Sequence, residues 1–433
     1  MRLAPAVLTL ALAACAGALT PSAPSRGPAA SRAAALSVQT PMQADAFVDS
    51  LGVNVHLENY QAAGDASAVI SRMQELGLRH VREGVLLLSP RQYAYERAFF
   101  AQTHAKIEAL IDCPRPLGYW PGSNTPPGVV YYYNHQIGGA IELLEGPNEP
   151  DIRGVKDWGP LTVKCIEMDD RVYATPFVAP AMAYGFDAPQ LGSIASLVGI
   201  GAIHRYFSGN SPGNDGFWKR NGCGIFGQIA WSICEARVNS GPDKPIFVTE
   251  TGWTTPSEID EATQGKYVVR VLLYDSISGI ARTLLYDFID DGTDRKNSED
   301  GYGLLHYDGS PKPSFYGVRT LVRALEDPGP AFSPAPLALG IEGARTIDHE
   351  LFQKRDGTYV LAIWNEVPSW NPATFREIAV RPVLATIVFG RPPLDVKAEL
   401  LTLGGLPSAQ PVRAGARRVT LNVYDRVTLL TFE

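Results

Sequence analysis

Two short runs of the sequence decide the fold: LLEGPNEPD (Leu143–Asp151) and PIFVTETGW (Pro245–Trp253). Each is an apolar segment that ends in a carboxylate, Glu149 in the first run and Glu250 in the second. A short stretch of β-branched and aromatic residues followed by a glycine is typical of a buried strand. In an α/β barrel the functional groups sit at the C-terminal ends of the strands. Two such ends can therefore place two carboxylates across one pocket.

The surrounding sequence fits such a barrel, because strand-like apolar runs alternate with amphipathic helical segments. The predicted strands cover residues 51–57, 80–84, 107–111, 141–144, 176–180, 200–206, a run that starts at 245, and 283–288. The predicted helices cover residues 66–76, 92–100, 224–238, 261–278 and 312–325. Eight strands with their helices over about 275 residues match the size of a (β/α)8 TIM barrel. We therefore assign residues 41–327 to an α/β barrel.

The character of the sequence changes after Asp327. A Pro-rich linker leads into short runs of alternating apolar residues, among them residues 359–364, 384–389 and 427–432. Such runs predict a small all-β sandwich domain over residues 338–433. The role expected for this domain is packing against the barrel, with sugar binding as the alternative. Trp364 and Trp370, if exposed, would suit either role.

The motifs Asn148-Glu149-Pro150 and Thr249-Glu250-Thr251-Gly252-Trp253 resemble the acid/base and nucleophile motifs of clan A glycoside hydrolases, with family 39 and family 5 types the most similar. These are retaining (β/α)8-barrel enzymes that carry the acid/base after strand 4 and the nucleophile after strand 7. The resemblance implies that Glu149 is the acid/base, that Glu250 is the nucleophile, and that Asn148 binds the sugar 2-hydroxyl. One acid to protonate the leaving oxygen and one carboxylate to attack the sugar carbon are what this chemistry needs. One glutamate after a strand is common by chance, so the inference depends on the pair.

The triplet His204-Arg205-Tyr206 at the end of predicted strand 6 resembles the His-x-Tyr of clan A, in which the tyrosine donates a hydrogen bond to the nucleophile. A phenol donor would hold that carboxylate ionised and oriented. The alternative for His204 is a hydrogen-bonded core histidine. Arg82 ends predicted strand 2, where a cation near the nucleophile would lower the pKa of that carboxyl. A structural salt bridge to Glu83 or another acid is the alternative for Arg82.

Further candidates for substrate contact come from the strand ends and from loop aromatics. His56 follows predicted strand 1, and Tyr286 follows predicted strand 8 in place of the tryptophan that many clan members carry as a sugar platform. The loop aromatics that can stack on sugars, or else pack in the core, are Tyr119, Trp120, Trp158, Trp218 and Trp253. The run DDGTD (Asp290–Asp294) predicts a solvated turn, because its spacing does not match an EF-hand calcium loop.

The net charge of −7 argues against a nucleic-acid partner and gives no reason to expect an acidic membrane surface as one. The expected substrate is a polysaccharide or oligosaccharide, cleaved at its O-glycosidic bonds by a monomeric glycosidase. No metal or organic cofactor is implied. A transglycosylase would use the same residues with a sugar acceptor. A non-catalytic carbohydrate-binding envelope lipoprotein would keep the barrel and lack turnover.

The N-terminus reads as an export signal, with Arg2 followed by a short apolar run that is too short to span a bilayer. The sequence LAAC (Leu12–Cys15) resembles a bacterial lipobox, in which Cys15 would be lipidated. The alternative is an ordinary signal peptide that is cut nearby, for instance at Ala18. Residues 1–40 would then comprise the signal and a Pro/Ala/Ser-rich flexible tether. We expect a lipid anchor in the bacterial cell envelope, or otherwise a periplasmic or secreted protein.

Four cysteines remain after Cys15, and an exported chain permits disulfides. Cys223 and Cys234 are close enough in sequence for a disulfide that closes a short loop. Cys113 and Cys165 would then form the second disulfide. Free buried thiols are the alternative. The spacing fits no zinc motif.

Overall fold

The structure is a computed structural model that describes residues 31–32, 35–60, 66–113, 127–170, 176–214, 216–217 and 219–433. The predicted signal peptide, Cys15, Tyr119, Trp120 and Trp218 lie outside these residues. The expectations for them therefore stay predictions.

The N-terminal domain is built on an eight-stranded parallel sheet. Its strands are β1 (Leu51–Asn54), β2 (His80–Gly84), β3 (Lys106–Leu110), β4 (Ile141–Glu145), β5 (Phe177–Val178), β6 (Gly201–Tyr206), β7 (Ile246–Gly252) and β8 (Arg282–Leu285). Strand β8 pairs with β1, and a parallel bridge between Val178 and Ile200 joins β5 to the start of β6. The sheet is thereby closed into a barrel, which confirms the predicted fold class.

One helix follows each strand of the barrel. The helices are α1 (Ala66–Leu76), α2 (Pro90–Thr103), α3 (Pro127–Gln136), α4 (Trp158–Asp170), α5 (Ala188–Leu191), α6 (Ile229–Ser240), α7 (Glu261–Ile277) and α8 (Pro313–Leu325). The predicted start of α6 at residue 224 is wrong. Gly224–Ile225 instead pairs with Arg220–Asn221 in a small hairpin, and Gly224 has a φ of 113° that favours a turn.

Local sequence explains where several helices begin and which face they bury. The Ser89 side chain accepts from the Gln92 amide and Pro90 occupies the first turn, so α2 starts with a capping box. The Asp260 side chain accepts from the amide of Thr263 at 2.7 Å and caps α7. Helix α8 buries one apolar stripe against the barrel: Phe315, Val318, Leu321, Val322 and Leu325.

The C-terminal region forms two six-stranded sheets. Its longer strands are β9 (Leu337–Ala344), β10 (Ile347–Gln353), β11 (Tyr359–Asn365), β12 (Val383–Phe389), β13 (Lys397–Leu400), β14 (Arg418–Val423) and β15 (Thr428–Phe432). Ser408–Ala409 and Arg413–Ala414 add short strands to these sheets, whereas Trp370–Asn371 pairs with Arg376–Glu377 in a separate two-stranded sheet. Apolar side chains of both sheets, including Leu339, Ile387, Leu361 and Leu430, enclose one core, as expected for a sandwich.

The N-terminal segment contributes strands to this sandwich. Ser37–Gln39 pairs antiparallel with residues 337–339 of β9, Ser31–Arg32 pairs with residues 343–344, and Met42–Gln43 pairs with the end of β10. The expectation of a flexible tether up to residue 40 is wrong for Ser31–Arg32 and Ser37–Gln39. A short helix, Ala44–Asp49, then leads into β1.

The barrel and the sandwich share buried contacts. Arg270 on α7 is fully buried and binds Glu366 through two hydrogen bonds, of which Nε to Oε2 measures 2.9 Å. The rings of Phe47 and Phe352 lie 5.0 Å apart across the junction. Trp364 and Trp370 are both buried. Their side chains therefore pack in the core instead of presenting a sugar-binding surface.

The four remaining cysteines form two disulfides, Cys113–Cys165 and Cys223–Cys234. The first joins the end of β3 to α4, and the second joins the hairpin to α6. Among the described residues, no helix is both long and apolar enough to cross a membrane.

Candidate active site

The strand register of the barrel places the predicted side chains at one end. Strand β7 pairs with β6 so that Glu250 lies opposite His204 and Gly252 lies opposite Tyr206. A Cβ atom at position 252 would lie 2.2 Å from the carbonyl oxygen of Tyr286, so only glycine fits where β7 approaches β8. This close approach explains the glycine of the TGW sequence.

Glu149 reaches the same end from the loop after β4. Its backbone is left-handed, with φ 42° and ψ 58°, a conformation that non-glycine residues rarely adopt. Pro150 then begins a short 3-10 turn, and Asp151 accepts hydrogen bonds from the backbone amides of Ala183 and Tyr184. The surrounding loops thus hold Glu149 in a strained conformation, a feature that clusters at functional sites.

Glu149 and Glu250 face each other. One carboxylate oxygen of each lies within 4.8 Å of the other and of a ring nitrogen of His204. His204 Nδ1 lies 2.8 Å from Glu149 Oε1 and 3.4 Å from Glu250 Oε2. Burial alone would lower the pKa of His204, but the charge of Glu250 and the hydrogen bond to Glu149 raise it above its ordinary value. These two effects favour the protonated form of the imidazole between the two carboxylates.

Two further side chains, those of Arg82 and Tyr206, donate hydrogen bonds to the Glu250 carboxylate. Arg82 Nη1 donates to its Oε1 at 2.6 Å, and the Tyr206 hydroxyl donates to its Oε2 at 2.7 Å. Only 7% of the Glu250 surface is exposed, and this burial tends to raise the pKa of the carboxyl. The charges of His204 and Arg82 and the hydrogen bonds from Tyr206 and Arg82 outweigh burial, so the pKa is lowered. Glu250 is therefore ionised at neutral pH.

Arg82 lies at the centre of a buried network, in which it contacts Glu250, as predicted for a cation near the nucleophile, and also another acid, Glu145. Its Nε and Nη2 both bind Glu145, the last residue of β4, and its Nη1 also contacts Asn54 Oδ1 at 3.0 Å. Its Nη2 donates to Asn148 Oδ1 at 2.8 Å, which leaves the Nδ2 donor of that amide as the group able to reach a ligand. Glu145 is fully buried. The sequence signal for it was a charged residue directly after the apolar pair Leu143-Leu144 at the end of the strand.

His56 and Tyr286 lie beside this group. Tyr286 is half-buried, and its ring contacts His56 and Tyr206 edge-on, with centroids 5.7 and 6.4 Å apart. The Tyr286 hydroxyl donates to Glu299 Oε2 at 3.3 Å. His56 Nδ1 lies 2.9 Å from Asp291 Oδ1 and 3.8 Å from Asp287 Oδ2. Sequence reasoning assigned no role to Glu299, Asp287 or Asp291.

Trp253 is not a substrate contact in this arrangement, contrary to the prediction. Its side chain is fully buried, stacks on Phe207 with centroids 4.5 Å apart, and packs against Tyr267. Its Nε1 donates to the carbonyl oxygen of Asn210 at 2.9 Å. The tryptophan follows the end of β7, so the chain has already turned away from the pocket. Trp158 is likewise buried in the core.

The DDGTD run is not simply a solvated turn. Asp290 is buried and accepts from Lys312 Nζ at 2.6 Å, and Lys312 is itself almost fully buried. Burial raises the pKa of Asp290 to about 6, although the charge and hydrogen bond of Lys312 oppose that effect. The later residues Thr293 and Asp294 are exposed, as expected for a turn.

No protein-family model matches the sequence, and a comparison with curated proteins finds no matching sequence. Solved structures do match along almost the whole chain. A family 39 glycoside hydrolase from Bacteroides cellulosilyticus WH2 has a TM-score of 0.59 and 17% identity, over 91% of this chain and 83% of that one. This chain has the barrel fold of such glycoside hydrolases.

Two further solved structures show the same architecture. A monomeric β-xylosidase from Caulobacter crescentus CB15 matches with a TM-score of 0.59 and 12% identity, over 92% of this chain and 97% of that one. A family 51 α-L-arabinofuranosidase from Bifidobacterium longum matches with a TM-score of 0.57 and 11% identity, over 93% of this chain and 98% of that one. At such identities the similarity shows a shared fold.

Proposed function

We propose that this chain is a retaining glycoside hydrolase that cleaves O-glycosidic bonds of a polysaccharide or oligosaccharide, with Glu250 as nucleophile and Glu149 as acid/base. The observation that carries the proposal is the separation of the two carboxylates, with one oxygen of each within 4.8 Å of the other. Retaining enzymes hold their carboxyl groups about 5–5.5 Å apart, whereas inverting enzymes leave about 6.5–9.5 Å for a water molecule. The shared fold with glycoside hydrolases supports the same proposal.

In the first step Glu250 attacks the anomeric carbon while Glu149 protonates the departing glycosidic oxygen. Arg82 and Tyr206 orient the Glu250 oxygens and keep them ionised before the bond forms. His204 holds Glu149 by its Oε1 atom. The outcome is a glycosyl ester on Glu250 and a released leaving group.

In the second step Glu149, now ionised, removes a proton from a water molecule that attacks the anomeric carbon. The C–O bond to Glu250 breaks, and the sugar leaves with its original configuration. Asn148 Nδ2 is the proposed donor to the sugar 2-hydroxyl, and the half-buried Tyr286 ring is the proposed platform for the sugar ring. We also propose that the enzyme is a monomer.

The test is a screen of the purified protein against a panel of polysaccharides and aryl glycosides, followed by Glu250→Ala and Glu149→Gln on the substrate found. Each variant should reduce kcat by several orders of magnitude while the far-UV circular dichroism stays native. Glu399→Gln, at an exposed glutamate of the sandwich, is the matched control and should keep full activity. Azide should rescue Glu250→Ala and give a glycosyl azide of inverted configuration.

Two results would overturn the proposal. The first is full turnover by Glu250→Ala or Glu149→Gln. The second is an inverted product of the wild-type enzyme, observed by proton NMR during the first minutes of hydrolysis. Transfer of the sugar to an acceptor with retained configuration would instead identify a transglycosylase that uses the same two residues.

We also propose that the protein is exported and anchored through a lipid on Cys15. Two disulfides within the described chain support an oxidising compartment. Metabolic labelling with a fatty-acid analogue should mark the wild-type chain, and Cys15→Ala should be unlabelled and released from the membrane fraction. An unlabelled wild-type chain in the soluble fraction would contradict the anchor.

A further inference from the structure

A second cluster of metal-binding side chains lies at the carboxyl ends of β1 and β8, next to the Glu149–Glu250 pair. His56 follows β1, and Asp287 and Asp291 follow β8. One donor atom from each of the three lies within 4.8 Å of the others. His56 Nδ1 is 2.9 Å from Asp291 Oδ1 and 3.8 Å from Asp287 Oδ2. Three donors thus converge on one point from two barrel strands.

Asp287 is the informative member of the cluster. Its side chain is 0% exposed, and neither carboxylate oxygen has a hydrogen-bond partner within the described chain. Burial of a carboxylate without hydrogen bonds is strongly unfavourable, and native proteins rarely leave such a group unsatisfied. The two unpartnered oxygens therefore point to a ligand that supplies positive charge.

The neighbouring acid Asp290 differs from Asp287, because it has a cationic partner. Asp290 has its own cation, because Lys312 Nζ binds its Oδ1 at 2.6 Å and the Gly303 amide binds the same oxygen at 2.8 Å. Lys312 is committed to this contact and to the Thr255 hydroxyl and Gly301 carbonyl. Among the described residues, His56 is the ion-pair partner within 4.0 Å of both Asp287 and Asp291. Two carboxylates thus face one imidazole ring.

We propose that His56 Nδ1, Asp287 and Asp291 bind a divalent transition-metal ion, with Zn²⁺ the best match to the donor set. Zinc takes imidazole nitrogen and carboxylate oxygen at about 2.0–2.2 Å, and open zinc sites use three protein ligands. Two ligand atoms of a tetrahedral zinc then lie about 3.4 Å apart, between the 2.9 and 3.8 Å measured from His56. Ca²⁺ and Mg²⁺ prefer all-oxygen sites and should bind more weakly.

The site is reachable from the pocket. The side chains of His56 and Asp291 are 26% and 25% exposed, and the Tyr286 ring lies against His56. A bound ion would therefore have its remaining coordination positions on the pocket side, where an oxygen of a ligand can bind. The proposal does not depend on the hydrolase assignment, because metal binding is measured without any substrate.

The test is isothermal titration calorimetry of the full chain, stripped with EDTA and dialysed, against zinc chloride and separately against calcium chloride. Wild type should bind one zinc ion per chain, at least tenfold more tightly than calcium. Asp287→Asn keeps the shape of the side chain and should weaken zinc binding at least tenfold. Asp308→Asn, at an exposed aspartate of the same β8–α8 loop, is the matched control and should bind as wild type does.

Zinc could bind instead at the proposed catalytic residues, because donor atoms of Glu149, His204 and Glu250 also lie within 4.8 Å of one another. Glu149→Gln should leave the zinc affinity unchanged.

If Asp287→Asn does not fold, Asp291→Asn is the second variant, since that side chain is partly exposed. Zinc should also raise the Tm of wild type and leave that of the Asp287 or Asp291 variant unchanged. Either of two results would overturn the proposal. The first is that the wild type does not bind one zinc ion per chain. The second is that Glu149→Gln loses zinc binding while Asp287→Asn keeps it.

Discussion

Arg82 donates from Nη1 to Oε1 of Glu250 at 2.6 Å, and both residues are buried. The other side of the same guanidinium is fixed by Glu145. Burial by itself lowers the pKa of Arg82, but the negative charges of Glu145 and Glu250 raise it above its ordinary value. Arg82 is therefore a permanent cation whose orientation is fixed before any substrate arrives, and it keeps the proposed nucleophile ionised.

Replacing Arg82 by methionine should reduce kcat/KM about 100-fold to 1,000-fold, as loss of one oriented electrostatic contact typically does. The reason is that Glu250 would lose both its donor and the nearest permanent cation. Steady-state kinetics would measure the change. Arg82→Lys keeps the charge but cannot bind Glu145 and Glu250 together. It should therefore recover only part of the loss, and full recovery would mean that orientation is unimportant.

Glu145 is predicted to act as a positioning residue. Glu145→Gln keeps the shape but removes the charge that holds Arg82, and Thr249 also donates to this carboxylate at 3.2 Å. We expect kcat to fall more than KM rises, with the acid limb of the pH–rate profile displaced. A purely structural role would lower the Tm and leave the pH profile of the folded enzyme unchanged. Glu145→Asp should restore part of kcat.

The acid limb of the pH–rate profile should report on Glu250. Its pKa is lowered in the folded state, so its contribution to stability and to activity is present above the unfolded pKa and is lost as pH falls through the folded value. Tyr206→Phe removes one hydrogen bond that lowers this pKa. The acid limb of kcat/KM should therefore move to higher pH. A limb that stays in place or moves to lower pH would contradict the assigned contact.

Tyr286 and Trp253 should behave differently when each is replaced. Tyr286→Ala should raise KM with a small effect on stability, because this ring is half-buried beside the pocket. Trp253→Ala should lower the free energy of unfolding by about 3–5 kcal/mol through the cavity that it leaves, because the ring is fully buried. Its KM at low temperature, where the variant is folded, should stay near that of wild type. Urea denaturation and steady-state kinetics separate the two effects.

The barrel and the sandwich should unfold together. Arg270→Ala leaves Glu366 buried without its cation, and breaking a buried pair in this way costs about 3–5 kcal/mol. Urea unfolding followed by fluorescence and by circular dichroism should show one shared transition at a lower midpoint. Arg418→Ala breaks a surface pair with Glu342, whose side chains are 53% and 36% exposed. This control should cost about 0–1 kcal/mol, and an equal loss in both variants would contradict the difference in burial.

The barrel, the sandwich and the pairing of the Glu149 and Glu250 motifs at one barrel end could be predicted from residue patterns alone. Strand and helix periodicity is local, so the order of elements can be predicted from short windows. The two carboxylate motifs follow β4 and β7, and parallel strands of a barrel direct their carboxyl ends to one face. Their proximity therefore follows from the element order.

The ion pairs that neutralise the buried charges became visible in the folded chain. Glu145 and Arg82 are 63 residues apart, and their pairing depends on strands β2 and β4 facing the same barrel interior. The same holds for the Asp287 carboxylate, which accepts no hydrogen bond from the described residues, for the burial of Trp253, and for the pairing of Ser37–Gln39 with β9. The physical reason is that burial and electrostatic pairing are set by contacts between segments distant in sequence. No local pattern of residue types records those contacts.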